Sequence, residues 1–186
     1  MRHKYATPAL VLARVPIAEA GMLVTLLTPE LGLIRARAEG VRRSGAKLAH
    51  ALQALNESDI MLVRGKEGWR VTGAVLAEDR FVGLGQEARA RIARVSGLLL
   101  RLVHGESDDP SLHTSFTEFL LALGEAPSEE GEAVESLVVL RLLSALGLDA
   151  GELPPPGYGP DARVYVTERR AHIISRINRG IAASSL

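Results

Sequence analysis

The segment Leu33-Ile34-Arg35-Ala36-Arg37-Ala38 decides the fold of this 186-residue chain. Small or apolar residues alternate with charged ones, Ile34, Ala36 and Ala38 against Arg35, Arg37 and Glu39. Residues two apart in sequence lie on the same face of a β-strand. The alternation therefore predicts a strand with one buried face and one wet face, and the wet face carries two arginines.

Four further runs of apolar and β-branched residues surround this strand, at residues 9–15, 22–28, 58–63 and 68–76. Pro29 and Gly32 predict a tight turn before the strand, and residues 64–67 form a polar hairpin tip. Residues 46–55 have helical spacing and lie between the third and fourth strands. Five strands with one short helix in this order favour a small barrel of the oligonucleotide-binding (OB) kind.

The second half of the chain has a helical pattern instead. Apolar residues recur at helical spacing within residues 87–103, 110–123, 128–147 and 168–182, while residues 149–160 are rich in proline and glycine. We predict an α+β protein with an OB-fold nucleic-acid-binding domain at residues 1–80. A bundle of about four helices at residues 81–186 would follow, with its Pro/Gly-rich loop at 149–160.

Composition narrows the function. Residues 1–80 hold twelve Lys or Arg and eight Asp or Glu, whereas the remainder of the chain has a net negative charge. The overall net charge of zero therefore combines a basic part and an acidic part, which indicates two surfaces with different partners. There is no cysteine, and the five histidines are scattered, so neither a metal site nor a cofactor is expected. No phosphate loop, nucleophile elbow or zinc-protease motif occurs, so we expect no enzyme. No signal peptide or membrane-length apolar run is visible, which predicts a cytoplasmic protein without membrane contact.

The densest basic cluster lies on the third strand and just after it, at Arg35, Arg37, Arg42, Arg43 and Lys47. Three residues near the hairpin tip extend it: Arg64, Lys66 and Arg70. Such a surface binds phosphates by releasing condensed counterions, with a salt slope of roughly −0.7 per contact on single strands. The alternative is a solvated surface that only maintains solubility.

Aromatic residues are scarce in this half, which offers only Tyr5 and Trp69. Single-strand binders usually stack bases on aromatic rings, and Trp69, at a strand start, has an alternative place in the core. We therefore expect binding to be electrostatic, independent of base sequence and possible on duplex DNA as well as on single strands.

Several ordered segments resemble one known family. ALVL at residues 9–12, Glu19, LVTLLTPELGL at 23–33 and AEGVRR at 38–43 resemble the N-terminal barrel of the bacterial DNA repair protein RecO family. LRLLSALGL at 140–148 is similar to the family's helical domain. Many members then carry four cysteines, where this sequence has prolines and glycines at 154–160, so it resembles a short form without the zinc cluster.

The resemblance implies a non-catalytic mediator of recombinational repair after DNA damage. Such proteins bind single- and double-stranded DNA, anneal complementary strands and help to load the recombinase onto DNA coated by single-strand-binding protein. The implied partners are RecR, the C-terminal tail of single-strand-binding protein and, indirectly, the recombinase filament. Nucleoid association within the cytoplasm follows. The resemblance also assigns DNA contact to the basic cluster from Arg35 to Lys47.

An acidic tail peptide requires an apolar groove with arginine at its edge. Arg91, Arg94 and Arg101 flank Leu98 on the first long helix and are the candidates, although they could simply solvate that helix. Two other functions stay open for the whole chain: a protein–protein scaffold whose working surface is the helical half, and an RNA-binding OB-fold protein.

Overall fold

The computed structural model describes residues 4–17, 21–41, 47–80, 82–103, 105–106 and 109–184. The chain divides into two compact units. The barrel unit comprises residues 1–82 and 105–113, and the helical unit comprises residues 83–104 and 114–186. The fold is therefore α+β, as the sequence predicted, with strands first and helices after them.

The barrel unit is a closed five-stranded barrel with the strand order β1-β2-β3-β5-β4. Its elements are β1 (Lys4–Ile17), β2 (Gly21–Thr28), β3 (Gly32–Ala38), the short helix α1 (Lys47–Ala51), β4 (Asn56–Gly65) and β5 (Gly68–Asp79). This is the predicted count and order, and each strand is somewhat longer than its predicted run. Closure leaves few unpaired strand edges, which favours stability in a small all-β unit.

Closure depends on one short parallel contact. Ala36 pairs with Trp69, Arg37 with Arg70, and Ala38 with Val71. The other strand pairs are antiparallel, among them β2–β3 and β4–β5. These three residue pairs thus join β3 to β5 and place the part of β3 that carries Arg37 beside the start of β5.

The alternation predicted for β3 is confirmed. Ile34, Ala36 and Ala38 are buried, while Arg35 and Arg37 are exposed. The buried face joins an apolar core that other strands and α1 complete with Val11, Val24, Leu26, Leu52, Ile60 and Leu62. Burial of each large aliphatic side chain contributes about 1.5–3 kcal/mol, so this core outweighs any local strand preference.

Two glycines close the hairpins next to β3 and β5. Gly32 has φ 63° and Gly68 has φ 100°, values that other residues rarely adopt. In the turn before β3 the Thr28 hydroxyl donates to the Gly32 carbonyl at 3.2 Å and accepts from the Leu31 amide at 3.0 Å. The predicted turns are therefore present, and the two hydrogen bonds of the Thr28 hydroxyl stabilise the first of them.

The helical unit is arranged around one central helix. Its helices are α2 (Gln86–Leu102), α3 (Ser111–Glu125, of which residues from Thr114 belong to this unit), α4 (Gly131–Ala145), α5 (Pro160–Glu168) and α6 (Arg170–Ala183). Helix α4 contacts α2, α5 and α6. It is apolar on most sides, with Val134, Leu137, Val138 and Leu140 fully buried, as expected of a helix enclosed by others.

Helix α6 matches the last helix predicted at residues 168–182, but a further helix before it, α5, was not predicted. Among the described residues the segment after the Pro/Gly-rich loop holds two helices, α5 and α6, which meet at Arg169. Pro160 begins α5 at the first helical position, where its fixed φ is favourable and no hydrogen-bond donor is needed. The proline that was taken as the end of a loop is therefore the start of a helix.

The Pro/Gly-rich loop is anchored by a buried arginine. Arg176 of α6 is 4% exposed, and its guanidinium binds both oxygens of Asp149, at 3.2 and 2.5 Å. It also donates to the Glu152 carbonyl at 2.8 Å. Gly151 lies directly against the guanidinium, so close that no Cβ fits there. The start of the loop is thus tied to α6 by charge and hydrogen bonds together.

A second arginine holds the rest of the loop. Arg141 of α4 donates to the carbonyls of Pro155 and Gly157, at 2.8 and 2.5 Å. Its guanidinium stacks over the Tyr158 ring at 4.5 Å from the centroid, and the Tyr158 hydroxyl donates to the Ser115 carbonyl at 3.0 Å. Burial raises the pKa of Tyr158, which keeps the phenol protonated as this hydrogen bond requires.

We predict that Asp149→Asn lowers the free energy of unfolding by about 2–3 kcal/mol at pH 7, because it leaves Arg176 as a buried cation without its counter-charge. The hydrogen bonds from Arg176 hold the pKa of Asp149 below its usual range. The stabilisation is therefore fully present above the ordinary aspartate pKa of about 3.9 and is lost as pH falls through the lowered pKa of the folded protein. Denaturant unfolding of both proteins from pH 7 to pH 2.5 measures this; a difference that stays constant down to the lowest pH would contradict it.

Gly151→Ala should also destabilise the protein, by about 1–3 kcal/mol, since the new methyl group displaces a guanidinium that is fixed by Asp149. Gly97→Ala is the matched control. Gly97 is exposed within α2 with nothing near its Cβ position, so alanine there should stabilise by about 0.5–1 kcal/mol. Thermal unfolding of the two variants should move in opposite directions, and equal shifts would show that Arg176 is not held in place.

Candidate nucleic-acid interface

A groove of about 820 Å³ lies on the barrel unit at the turn between β4 and β5. Its described lining contains five cationic side chains and a single carboxylate, that of Glu67. The cations are Lys4, Arg37, Arg64, Lys66 and Arg70. They come from four strands and one turn, so the barrel as a whole is needed to bring them together.

Strand register explains how these cations meet. Arg37 on β3 pairs with Arg70 on β5, Arg70 pairs with Val63 on β4, and Val63 pairs with Lys4 on β1. Paired residues on neighbouring strands share a face of the sheet and lie roughly 5 Å apart. Three cations therefore occupy one row across four adjacent strands.

Like charges directly opposite each other destabilise a sheet, and two carboxylates compensate for this. Glu67 accepts a hydrogen bond from Arg37 at 2.7 Å, and Glu39 lies 3.8 Å from Arg70. All four side chains are more than half exposed. Exposed pairs of this kind contribute about 0–1 kcal/mol, so an incoming anion can replace either carboxylate at little cost.

Two residues of the groove lining, Arg64 and Trp69, belong to an aromatic and charged cluster. Trp69 is 6% exposed and belongs to the barrel core, as the alternative interpretation of its position predicted. Its indole donates to Glu106 at 2.9 Å, and Arg64 binds the other oxygen of Glu106 at 2.8 Å. Tyr5 packs edge-on against Trp69 with the ring centroids 5.1 Å apart. Trp69 offers no open face for a base, so stacking on it is not available.

The structure brings four of the eight predicted DNA-binding residues into this groove: Arg37, Arg64, Lys66 and Arg70. Arg35 lies two residues before Arg37 on the same exposed face of β3. Arg42 and Arg43 lie outside the described residues, as does the side chain of Lys47, which begins α1. A role in DNA binding remains a prediction for all eight residues.

Sequence reasoning missed Lys4 and the acidic partners of the arginines. Lys4 precedes Arg37 by more than thirty residues, and only the β1–β4 pairing brings it into the groove. Glu106 comes from the segment 105–113 between α2 and α3, which groups with the barrel unit. No local pattern marks either residue, because both reach the site through long-range contacts.

The candidate tail site on α2 already contains strong intramolecular contacts. Arg91 and Arg94 both bind Glu135 of α4, at distances from 2.7 to 2.8 Å. The hydrogen bond that Arg94 donates to Glu135 raises the pKa of Arg94. Leu98 is buried and Arg101 is exposed. The role of these residues in binding an acidic tail remains a prediction.

The groove can do one thing chemically, which is to bind anions. Its guanidinium and ammonium groups donate hydrogen bonds and carry charge, and they match phosphate oxygens. Within the described ranges no group of three His, Asp or Glu side chains is placed to hold a metal ion. None of the helices that the structure describes is long and apolar enough to cross a membrane.

Fold and groove together define an OB-type barrel with a cationic groove. Comparison with known proteins points to one family. Residues 1–78 match the family model described as Recombination protein O N terminal. The DNA repair protein RecO of Heliobacterium modesticaldum is 34% identical over 172 residues, covering 84% of this chain and 62% of that protein. The RecO of Gloeobacter violaceus is 29% identical over 147 residues, covering 77% of this chain and 56% of that protein.

A third relative matches the barrel alone. The DNA repair protein RecO of Dehalococcoides mccartyi is 38% identical over 72 residues, which is 39% of this chain and 28% of that protein. The resemblance predicted from the sequence is therefore confirmed: the chain is RecO-like, and its first 78 residues are a RecO N-terminal domain. The chain spans between 28% and 62% of the length of these three relatives.

We predict that Arg70→Gln weakens binding to heparin, a polyanion without bases, and lowers the salt concentration at which the protein elutes from a heparin column. Arg70 lies at the centre of the cationic row, where the removal of one charge most reduces the local potential. Arg14→Gln is the control, since Arg14 is exposed on β1 but does not line the groove. If both variants elute at the same salt concentration, the groove has no special role.

Proposed function

We propose that this protein is a DNA-binding mediator of recombinational repair. In this role it anneals complementary strands and helps to load the recombinase onto DNA coated by single-strand-binding protein. The observation that carries the proposal is a groove with five cationic side chains on a RecO N-terminal domain. It acts without catalysis, in the cytoplasm and at the nucleoid.

Residues 1–80 supply the nucleic-acid-binding domain in this proposal. The row of Arg37, Arg70 and Lys4 contacts successive phosphates of one strand, and Lys66 and Arg64 contact the backbone near the hairpin tip. Each phosphate contact on single-stranded DNA contributes roughly −0.7 to the slope of log affinity against log salt. Binding is therefore steeply salt-dependent and independent of base sequence.

Binding through phosphates alone is suited to the annealing of complementary strands. Trp69 is buried and paired, so bases are not drawn into stacking on it and their pairing edges stay exposed to a second strand. A cationic groove also reduces the repulsion between two phosphate backbones that approach each other. Both single- and double-stranded DNA fit this mode, and the duplex product is tolerated after the strands have paired.

Residues 81–186 supply protein contacts in this proposal. The partners are RecR, the acidic C-terminal tail of single-strand-binding protein and, indirectly, the recombinase filament. Arg101 and Arg94 are exposed on α2 and are suited to an acidic peptide. Arg94 is bound by Glu135, so a tail carboxylate would compete with an existing ion pair, which favours a weak and reversible contact.

We predict that Arg37→Ala/Arg70→Ala makes the salt slope for a labelled single-stranded oligonucleotide shallower by about 1.4, because two phosphate contacts are lost. The measurement is fluorescence anisotropy from low to moderate salt. In the same buffer the double variant should anneal two complementary oligonucleotides more slowly than the parent protein, with and without single-strand-binding protein present.

Arg14→Ala/Arg89→Ala serves as the control with an equal change in net charge, since neither residue lines the groove. It should keep the parent slope. Failure of the parent protein to bind the oligonucleotide at low salt would overturn the proposed function and favour a protein–protein scaffold. Stronger binding to RNA of the same sequence would favour an RNA-binding OB-fold protein.

A further inference from the structure

Glu106 lies outside the strands, and both of its carboxylate oxygens are bound by residues that line the groove. One oxygen accepts from the Trp69 indole at 2.9 Å and the other from Arg64 at 2.8 Å. Its backbone also forms an isolated antiparallel bridge with Gly32 at the start of β3. The carboxylate therefore has a defined position that three parts of the barrel unit determine.

The donors around this carboxylate are those of an anion site. The Trp69 indole can only donate, and because the residue is buried it needs an acceptor. The Arg64 guanidinium lies 5.2 Å from the centroid of the Trp69 ring, so a cation–π contact fixes its orientation. A guanidinium and an N–H group pointing at two oxygens of one anion suit a phosphodiester as well as a carboxylate.

The energetics allow an exchange. The side chains of Arg64 and Glu106 are 57% and 39% exposed, so their ion pair lies in the range of exposed pairs, which contribute little to stability. Arg64 and Trp69 also line the groove described above. A phosphate that reaches them finds donors already oriented and an occupant that is held only weakly.

We propose that Arg64 and the Trp69 indole form a phosphodiester subsite, and that Glu106 occupies it as an internal substitute for phosphate until nucleic acid displaces it. This inference rests on the proposed function, since it names one subsite of the same groove. Glu106 then sets a threshold for binding: it keeps the tryptophan N–H satisfied when the groove is empty and competes with the first phosphate that enters.

The test uses Glu106→Gln in the full chain. Glutamine keeps the shape and an acceptor for Trp69 but removes the charge that competes for Arg64. Affinity for a short labelled single-stranded oligonucleotide at low salt should rise by about two- to fivefold, the range that exposed ion pairs correspond to. Glu78→Gln is the control, because Glu78 is half exposed on β5 in the same unit, nine residues from Trp69. The affinity of this variant for the oligonucleotide should match that of the parent protein.

A second readout reports on the subsite itself. Trp69 is the sole tryptophan of the sequence, so intrinsic fluorescence monitors its indole specifically. Its emission should change as unlabelled oligonucleotide saturates the parent protein, and Glu106→Gln should change the emission of the free protein. Glu78→Gln should leave both signals as in the parent protein.

The outcomes separate this inference from the proposed function. If the oligonucleotide binds, but Glu106→Gln has the affinity of Glu78→Gln and Trp69 emission stays constant, the inference is overturned and the proposed function stands. If neither the parent protein nor Glu106→Gln binds, both are overturned.

Discussion

The short parallel contact between β3 and β5 is the constraint on which the rest of the barrel unit depends. Three residue pairs close the barrel, and the middle pair sets Arg37 opposite Arg70. On the outer face this pair buries no apolar surface and brings two like charges together. Its free-energy cost is offset by the buried pairs on either side, Ala36 with Trp69 and Ala38 with Val71. The groove exists because closure of the core forces two cations together.

The groove has more positive than negative charge, and nearby carboxylates partly compensate for the excess. Glu39, Glu67 and Glu106 each bind one arginine of the groove, and each pair is largely exposed. Weak pairs of this kind keep the folded barrel stable while leaving the cations available. If these pairs were buried, displacing a carboxylate would leave an uncompensated charge, so the arginines would be much less available to a polyanion.

Local patterns predicted most of the barrel unit. The period-two alternation around Ala36 gave the buried and exposed faces of β3, and Gly32 gave the turn before it. The contribution of Lys4 and Glu106 to the groove was out of reach, because strand order and the parallel contact are long-range properties that no window of sequence encodes. Helix α5 was missed for a different reason: Pro160 suits a first helical turn as well as a loop, and composition alone does not separate the two.

The anchored loop of the helical unit has a consequence for chemical resistance. Where many members of the resembled family place four cysteines, this chain fixes its loop through Arg176 and Asp149, with Arg141 stacked on Tyr158. Thiolates are targets for oxidants and lose bound metal when they are modified, whereas a guanidinium–carboxylate pair has no sulfur to oxidise. The contacts that fix the loop involve neither a thiol nor a metal ligand, so oxidants and chelators have no target in them.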